Sequence, residues 1–361
     1  VPDDFNEQLQ TATHAKSPGS LLRKLAGYAL DINQIHNIAK AIAIAQKDNK
    51  DLEPLKPFSL GIVSNTTTSI IVPALVATAA RYGCLLMVHE APYGQAAQVA
   101  IGEVEAFKDL AMDAILIAID YKGLPGPSNI PSFGKDTDTH KALDHLNMIR
   151  SQLKQRYGAP CIMQTCAHEP ESFFGNFDIQ VNNTSRQFIN IFNSGLVSEI
   201  IGTDDFLLDV AAIAETVGLA NWHDPVMYHM AKLPFAQKLV PFYAEQVCRI
   251  ISAMSGKARR ALILDLDNTL WGGVIGDDGL SGIELGQGNA LGEAYLAVQN
   301  TVLKLRQRGI VLAVCSKNND TTARIPFREH PDMLLNESHI AVFRANWEDK
   351  VPNIQFIAET L

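Results

Sequence analysis

Short apolar runs alternate along this chain with stretches of helical period, and that alternation predicts most of its elements. Leu21, Leu22 and Leu25, then Ile35, Ile38, Ala39 and Ile42, recur at helical spacing and predict helices over residues 1 to about 50. Pro54 and Pro57 mark a boundary. Apolar runs at Phe58–Ser64, Cys84–His89, Ala114–Asp120 and Pro160–Thr165 then read as strands with helical segments between them. Such alternation implies βαβ units around a parallel sheet. The loop Gly123-Leu-Pro-Gly-Pro-Ser-Asn-Ile-Pro131 is rich in breakers and is expected near the mouth of a site. A helix around Pro241–Met254 leads into Ser255-Gly-Lys-Ala-Arg-Arg260, read as a linker. Two further buried-strand patterns begin at Ala261 and Ile310. Between them lie a Gly-rich flap (Trp271–Gly288) and one helix (Ala290–Arg308).

Chemistry concentrates where those last two strands end. Ala261-Leu-Ile-Leu runs into Asp265 and Asp267, two apart and therefore on one face of an extended chain. In an open α/β sheet, ligands bind at the carboxyl ends of the strands. A carboxylate pair there can hold a hard cation such as Mg²⁺ and attack a phosphoryl group. The plainer reading is an acidic turn capping a helix. Ser316, ending the strand Ile310-Val-Leu-Ala-Val-Cys-Ser, can donate to a phosphoryl oxygen, and Lys350 in Asn346-Trp-Glu-Asp-Lys350 opens a helix. Alone, the serine reads as a turn residue and the lysine as a solvated surface charge.

Asp265-Leu-Asp-Asn-Thr269, Ser316 and Lys350 resemble motifs I, II and III of the haloacid dehalogenase (HAD) superfamily. The longer strings LDLDNTLWGGVIGDDG, LAVCSKNN and ANWEDKVPNI are similar to its FkbH-like branch. The resemblance implies Asp265 as a nucleophile forming an aspartyl-phosphate and Asp267 as general acid/base. It implies Mg²⁺ held by the Asp265 carboxylate and the Asp267 carbonyl. Asn268, Thr269, Ser316 and Lys350 are then expected around the phosphoryl group. It further implies a fourth, acidic motif completing the metal shell. After Lys350 the chain runs through Ile354-Gln-Phe-Ile-Ala-Glu-Thr-Leu361 without an acidic strand end, so a truncated HAD-like domain with an incomplete metal site is expected. FkbH-like proteins imply a substrate as well: a phosphoglyceryl acyl phosphate, dephosphorylated and loaded as glyceryl onto an acyl carrier protein in polyketide-type pathways. Cys315 is then a candidate transient acyl acceptor, or simply a small buried strand residue.

The roughly 40 residues from Thr269 to Ile310 leave no room for a separate cap domain, so an open site is expected. Upstream, Leu60-Gly-Ile-Val-Ser-Asn65 places Ser64 at a strand end and resembles the first block of SGNH/GDSL-type hydrolases. Ser64 and Asn65, with His223 and Asp224 from Asn221-Trp-His-Asp-Pro225, form a candidate second site. The spacing is not that family's DxxH, and Ile119-Asp120-Tyr121 lacks its block-III Asn. Ser64 therefore also reads as a strand-end serine, and His168, His223 and His229 as ordinary hydrogen-bonded histidines. An SGNH-type esterase or acyltransferase, or a catalytically incomplete binding protein, are the alternatives to the phosphatase.

The resulting fold class is α/β: a short helical segment (1–56), then two Rossmann-like three-layer domains, SGNH-like (57–256) and HAD-like (257–361). The 361 residues are 47% apolar and 19% charged, enough for proper cores and too little charge for a disordered chain. A net charge of −9 argues against non-specific nucleic-acid binding and anionic membranes. Five cysteines without a CxxC pair, and no run of 18 apolar residues, suit reduced thiols and a cytoplasmic enzyme.

Overall fold

The computed structural model describes residues 1–126 and 139–361, so Pro127–Pro131 of the breaker-rich loop lie outside the described residues. The chain divides into two compact units, Val1–Lys257 and Ala258–Leu361.

The first unit is built on a five-stranded parallel sheet. Its strands are β1 (Lys56–Ser64), β2 (Cys84–Glu90), β3 (Ala114–Ala118), β4 (Cys161–Gln164) and β5 (Phe206–Leu208). They lie in the order β2-β1-β3-β4-β5. The near-continuous apolar character of β1, β3 and β4 follows from burial on both faces. Phe58, Leu60, Ile62, Leu116 and Ile162 enter one core, while Ile115, Ile117 and Met163 enter another. Helices cover each face: Ile32–Lys47, Val72–Arg81 and Val240–Met254 on the first, Ala96–Ile101, His140–Tyr157 and Ser185–Ile200 on the second.

The N-terminal helices, expected as a segment of their own, share the first of these cores. Leu22, Leu25, Ile38 and Ile42 are at most 1% exposed, and each such side chain contributes about 2 kcal/mol on burial. Asp31 starts the Ile32–Lys47 helix with a capping box, its carboxylate accepting from the Gln34 amide at 2.8 Å while Gln34 Oε1 accepts from the Asp31 amide at 3.0 Å. Gly19 is required where the preceding helix meets the boundary loop, since a Cβ there would sit 2.2 Å from the Leu52 carbonyl oxygen.

The second unit carries β6 (Ala261–Leu264), β7 (Val311–Ser316) and β8 (Ile340–Ala345), parallel and in that order. Leu264, Leu266, Trp271, Leu296, Val302 and Val314 fill its main core. On the other face Ala313, Cys315 and Val342 pack against Ile357 of the helix Lys350–Thr360. β5 and β8 were not apparent from the apolar pattern, because β5 has three residues and β8 buries only Val342 and Ala345.

Candidate active site

The second unit gathers its polar groups at the carboxyl ends of β6, β7 and β8. Burial alternates from Leu264 onward: Leu264 and Leu266 enter the core, whereas Asp265 and Asp267 are half-buried on the side open to solvent. Asn268 then turns the chain with a left-handed φ of 55°, a conformation that Asn tolerates better than most residues. The Asn268 side-chain oxygen accepts from the Gly273 amide at 3.1 Å, tying down the start of the flap. Thr269 is half-buried, and its amide donates to the Leu266 carbonyl at 3.0 Å.

Asp265 faces the lysine that opens the helix after the far strand. Lys350 Nζ donates to Asp265 Oδ2 at 2.5 Å, reaching across β7 from the helix that follows β8. The side chains are 42% and 37% exposed, and a pair so open to water contributes about 0–1 kcal/mol to stability. Fold stability therefore does not account for the pairing. Its consequence is local: a cation held against a carboxylate where an anionic substrate would arrive. The loop carrying Lys350 is fixed by Asn353, 1% exposed, which exchanges hydrogen bonds with Asn346 at 2.7 and 3.1 Å.

Asp267 is held differently. Oδ1 accepts from Trp271 Nε1 at 3.0 Å and from the Ile275 amide at 3.1 Å, while Oδ2 accepts from Asn318 Nδ2 at 2.6 Å. In every one of these bonds the carboxylate is the acceptor. Trp271 is fully buried and anchors the flap, where Gly272 and Glu284 pair their backbones at 2.8 and 2.9 Å. Ser316 ends β7, 3% exposed, and no described residue makes a hydrogen bond to its hydroxyl. Asn318 was not among the candidates, although it lies in the string LAVCSKNN. The indole bond of Trp271 becomes visible only once the turn at Asn268 brings position 271 back to 267.

Cys315 points the other way. It is 3% exposed within the Ala313–Val342–Ile357 core, and burial pushes its thiol above the ordinary range. That environment disfavours the thiolate an acyl acceptor needs, so the geometry goes against the transfer role considered from sequence.

The candidate second site is not assembled as a triad either. Ser64, 5% exposed, donates its hydroxyl to the Ala118 carbonyl at 2.8 Å and accepts from the Thr66 amide at 3.0 Å. A serine bound this way closes a turn. Asn65 exchanges hydrogen bonds with Asp120 at 2.7 and 3.0 Å. His223 Nε2 bonds the His168 carbonyl at 2.7 Å, not Ser64, and Asp224 caps the helix Pro225–Ala231 through the Met227 amide at 3.0 Å.

A family model described as FkbH, N-terminal domain, matches residues 59–252, more than half of the chain. The chain belongs to that family. No curated protein matches it in sequence. Among solved structures it is similar to the N-terminal part of the protein BF1531 from Bacteroides fragilis, described as containing a phosphatase domain complexed with Mg. The identity is 26% and the TM-score 0.79, over 92% of this chain and 85% of that one. The likeness thus spans both units. Among the described residues no group of three or more His, Cys, Asp or Glu is gathered as a metal cluster. A magnesium ion asks for less than that, since it keeps several waters and takes one or two carboxylates. Asp265 and the carbonyl of Asp267 fit that smaller set. No described helix is long and apolar enough to cross a membrane.

Proposed function

We propose that the second unit is a Mg²⁺-dependent phosphatase of the HAD type acting on an acyl phosphate. The observation that carries this reading is Lys350 Nζ held 2.5 Å from Asp265 Oδ2, beside an Asp267 fixed by three donors. An oxygen of Asp265 attacks phosphorus; the new O–P bond forms as the bond to the acyl oxygen breaks, and the acyl carboxylate leaves with the electron pair. Lys350 and the Ser316 hydroxyl neutralise the equatorial oxygens. A carboxylate leaving group needs no proton, so Asp267 acts in the second step. There it takes a proton from the water that attacks phosphorus, and the bond to Asp265 breaks to release phosphate. Asp265 and the Asp267 carbonyl would hold Mg²⁺, whose charge would let one anion approach another. The Mg found in the similar phosphatase-domain structure supports this choice of ion.

The finer proposal is that the substrate is a phosphoglyceryl acyl phosphate whose acyl group passes to the thiol of an acyl carrier protein. The thiolate attacks the acyl carbon, and the C–S bond forms as the C–O bond breaks and that phosphate leaves. Asp265 takes the phosphoryl group of the remaining phosphate ester, whose alkoxide leaves with a proton from Asp267. Two features support a macromolecular acceptor. Within its own unit the Asp265–Lys350 pair is open to solvent, and Trp347 and Val351 beside it are 75% and 65% exposed. The buried Cys315 offers no accessible thiol of the chain's own. Phosphate release from acetyl phosphate with Mg²⁺ tests the core reading. Asp265→Asn is expected to lower it about 10⁴-fold, and chelation by EDTA to abolish it. Undiminished turnover in the variant would remove the proposal.

A further inference from the structure

Away from the phosphoryl site, the first unit holds a cavity that none of the chemistry above uses. In the strand order β2-β1-β3-β4-β5, the chain leaves β1 toward β2 on one side and reaches β3 on the other. The β1/β3 junction is therefore the topological switch point, where open α/β sheets bind ligands at the strand carboxyl ends. A cavity of about 40 Å³ lies there, walled by Ile71, Val210, Trp222 and Phe235. At roughly 10–15 Å³ for each water-sized site, it admits about three waters or the end of a small organic molecule. A larger recess of about 280 Å³ shares its Tyr121, Lys122, His223 and Pro234 wall.

Three polar side chains lining the cavity each have one atom committed and one left over. Gln164, 8% exposed, accepts from the Tyr243 hydroxyl through Oε1 at 3.0 Å. Its Nε2 donor has no partner among the described residues. His223 Nε2 faces a carbonyl, which only accepts, so the ring donates there and Nδ1 is a bare acceptor in the neutral ring. Asp120 Oδ1 accepts from Asn65 Nδ2 at 2.7 Å and from the Lys122 amide at 2.9 Å, leaving Oδ2 without a partner among the described residues. One donor and two acceptors on apolar walls complement hydroxyl groups, each of which both donates and accepts.

Charge narrows the class. Glu169, Glu171 and Asp224 line the recess against Lys122, whose ammonium sits 3.6 Å over the Tyr228 ring. The carboxylates outnumber the lysine and disfavour anions. With Ser64 turned to the Ala118 carbonyl, no activated nucleophile faces the cavity among the described residues.

We propose that the first unit binds a neutral polyhydroxylated small molecule at the β1/β3 switch point without hydrolysing it, with Gln164, His223 and Asp120 as its polar contacts. The test uses the whole chain and saturation-transfer NMR with glycerol, erythritol and D-ribose, and the anion D-glycerate for comparison. At least one of the three neutral polyols is expected to give saturable transfer. Gln164→Leu and Asp120→Asn, each checked for folding by circular dichroism, are expected to weaken it at least tenfold while leaving phosphate release from acetyl phosphate within twofold. Asp120→Asn keeps the size and the contact to Asn65 but replaces an acceptor with a donor. Absence of transfer from every neutral polyol, unchanged transfer in both folded variants, or tighter binding of D-glycerate than of any polyol would overturn the proposal.

Discussion

The two units place polar residues at the same kind of location, the carboxyl ends of parallel strands, and treat them in opposite ways. In the first unit the strand-end groups bind one another: Ser64 the Ala118 carbonyl, Asn65 the Asp120 carboxylate, His223 the His168 carbonyl. The few atoms left over line a small cavity walled by apolar side chains. In the second unit Asp267 accepts three hydrogen bonds, while the charges of Asp265 and Lys350 stay more than a third exposed. A strand-end serine or carboxylate therefore does not make a reaction centre by position alone. What separates the units is whether the charge is left available to an incoming group.

That contrast is tested most severely by Lys350→Ala. Loss of one charged donor aimed at a developing oxyanion is expected to reduce phosphate release about 10²- to 10³-fold, with melting of the unit within about 1 kcal/mol of the parent because the pair is exposed. A variant that unfolds while its turnover per folded molecule is unchanged would assign the lysine to the fold instead. Asn318→Ala removes one charge-assisted bond from Asp267, worth about 1.5–3 kcal/mol. Phosphate release is expected to fall about 10- to 100-fold, read as kcat, and unaltered kcat would separate Asp267 from the reaction. The smallest effect concerns thiols. All five cysteines are buried and free, and burial raises Cys315 above its ordinary value of 9.0 and Cys161 to about 12. Since the thiolate reacts, iodoacetamide labelling near pH 8 is expected to be slow at Cys315 as in the first unit, rising only as pH passes above 9. Rapid labelling of Cys315 alone would return it to the reaction.

Much of this arrangement could be read from the residues, for identifiable reasons. β1, β3 and β4 are sealed on both faces, so their apolar runs are near-continuous, and Leu22, Leu25, Ile38 and Ile42 keep helical period because one face of each helix is fully buried. β8, with Ile340, Phe343 and Arg344 only partly covered, carries no such pattern. Asp265, Asp267, Ser316 and Lys350 stand out because their spacing is part of long strings, and the sheet sets the first three at neighbouring strand ends with Lys350 on the helix after β8. Direction was not legible. Cys315 and Ser316 are adjacent in sequence, yet pleating sends the first into the Ile357 core. Nor could the sequence tell that Ser64 turns toward Ala118 or that His223 finds a carbonyl, since both depend on partners about 55 residues away.

Whether Asp265 receives phosphorus is tested directly by trapping that bond. The intact chain is incubated with Mg²⁺ and ³²P-labelled acetyl phosphate, quenched in acid and digested, and the labelled peptide is mapped by mass spectrometry. A hydroxylamine-labile label on Asp265, absent from Asp265→Asn, is the expected result; label on another residue, or label retained in the variant, would contradict it.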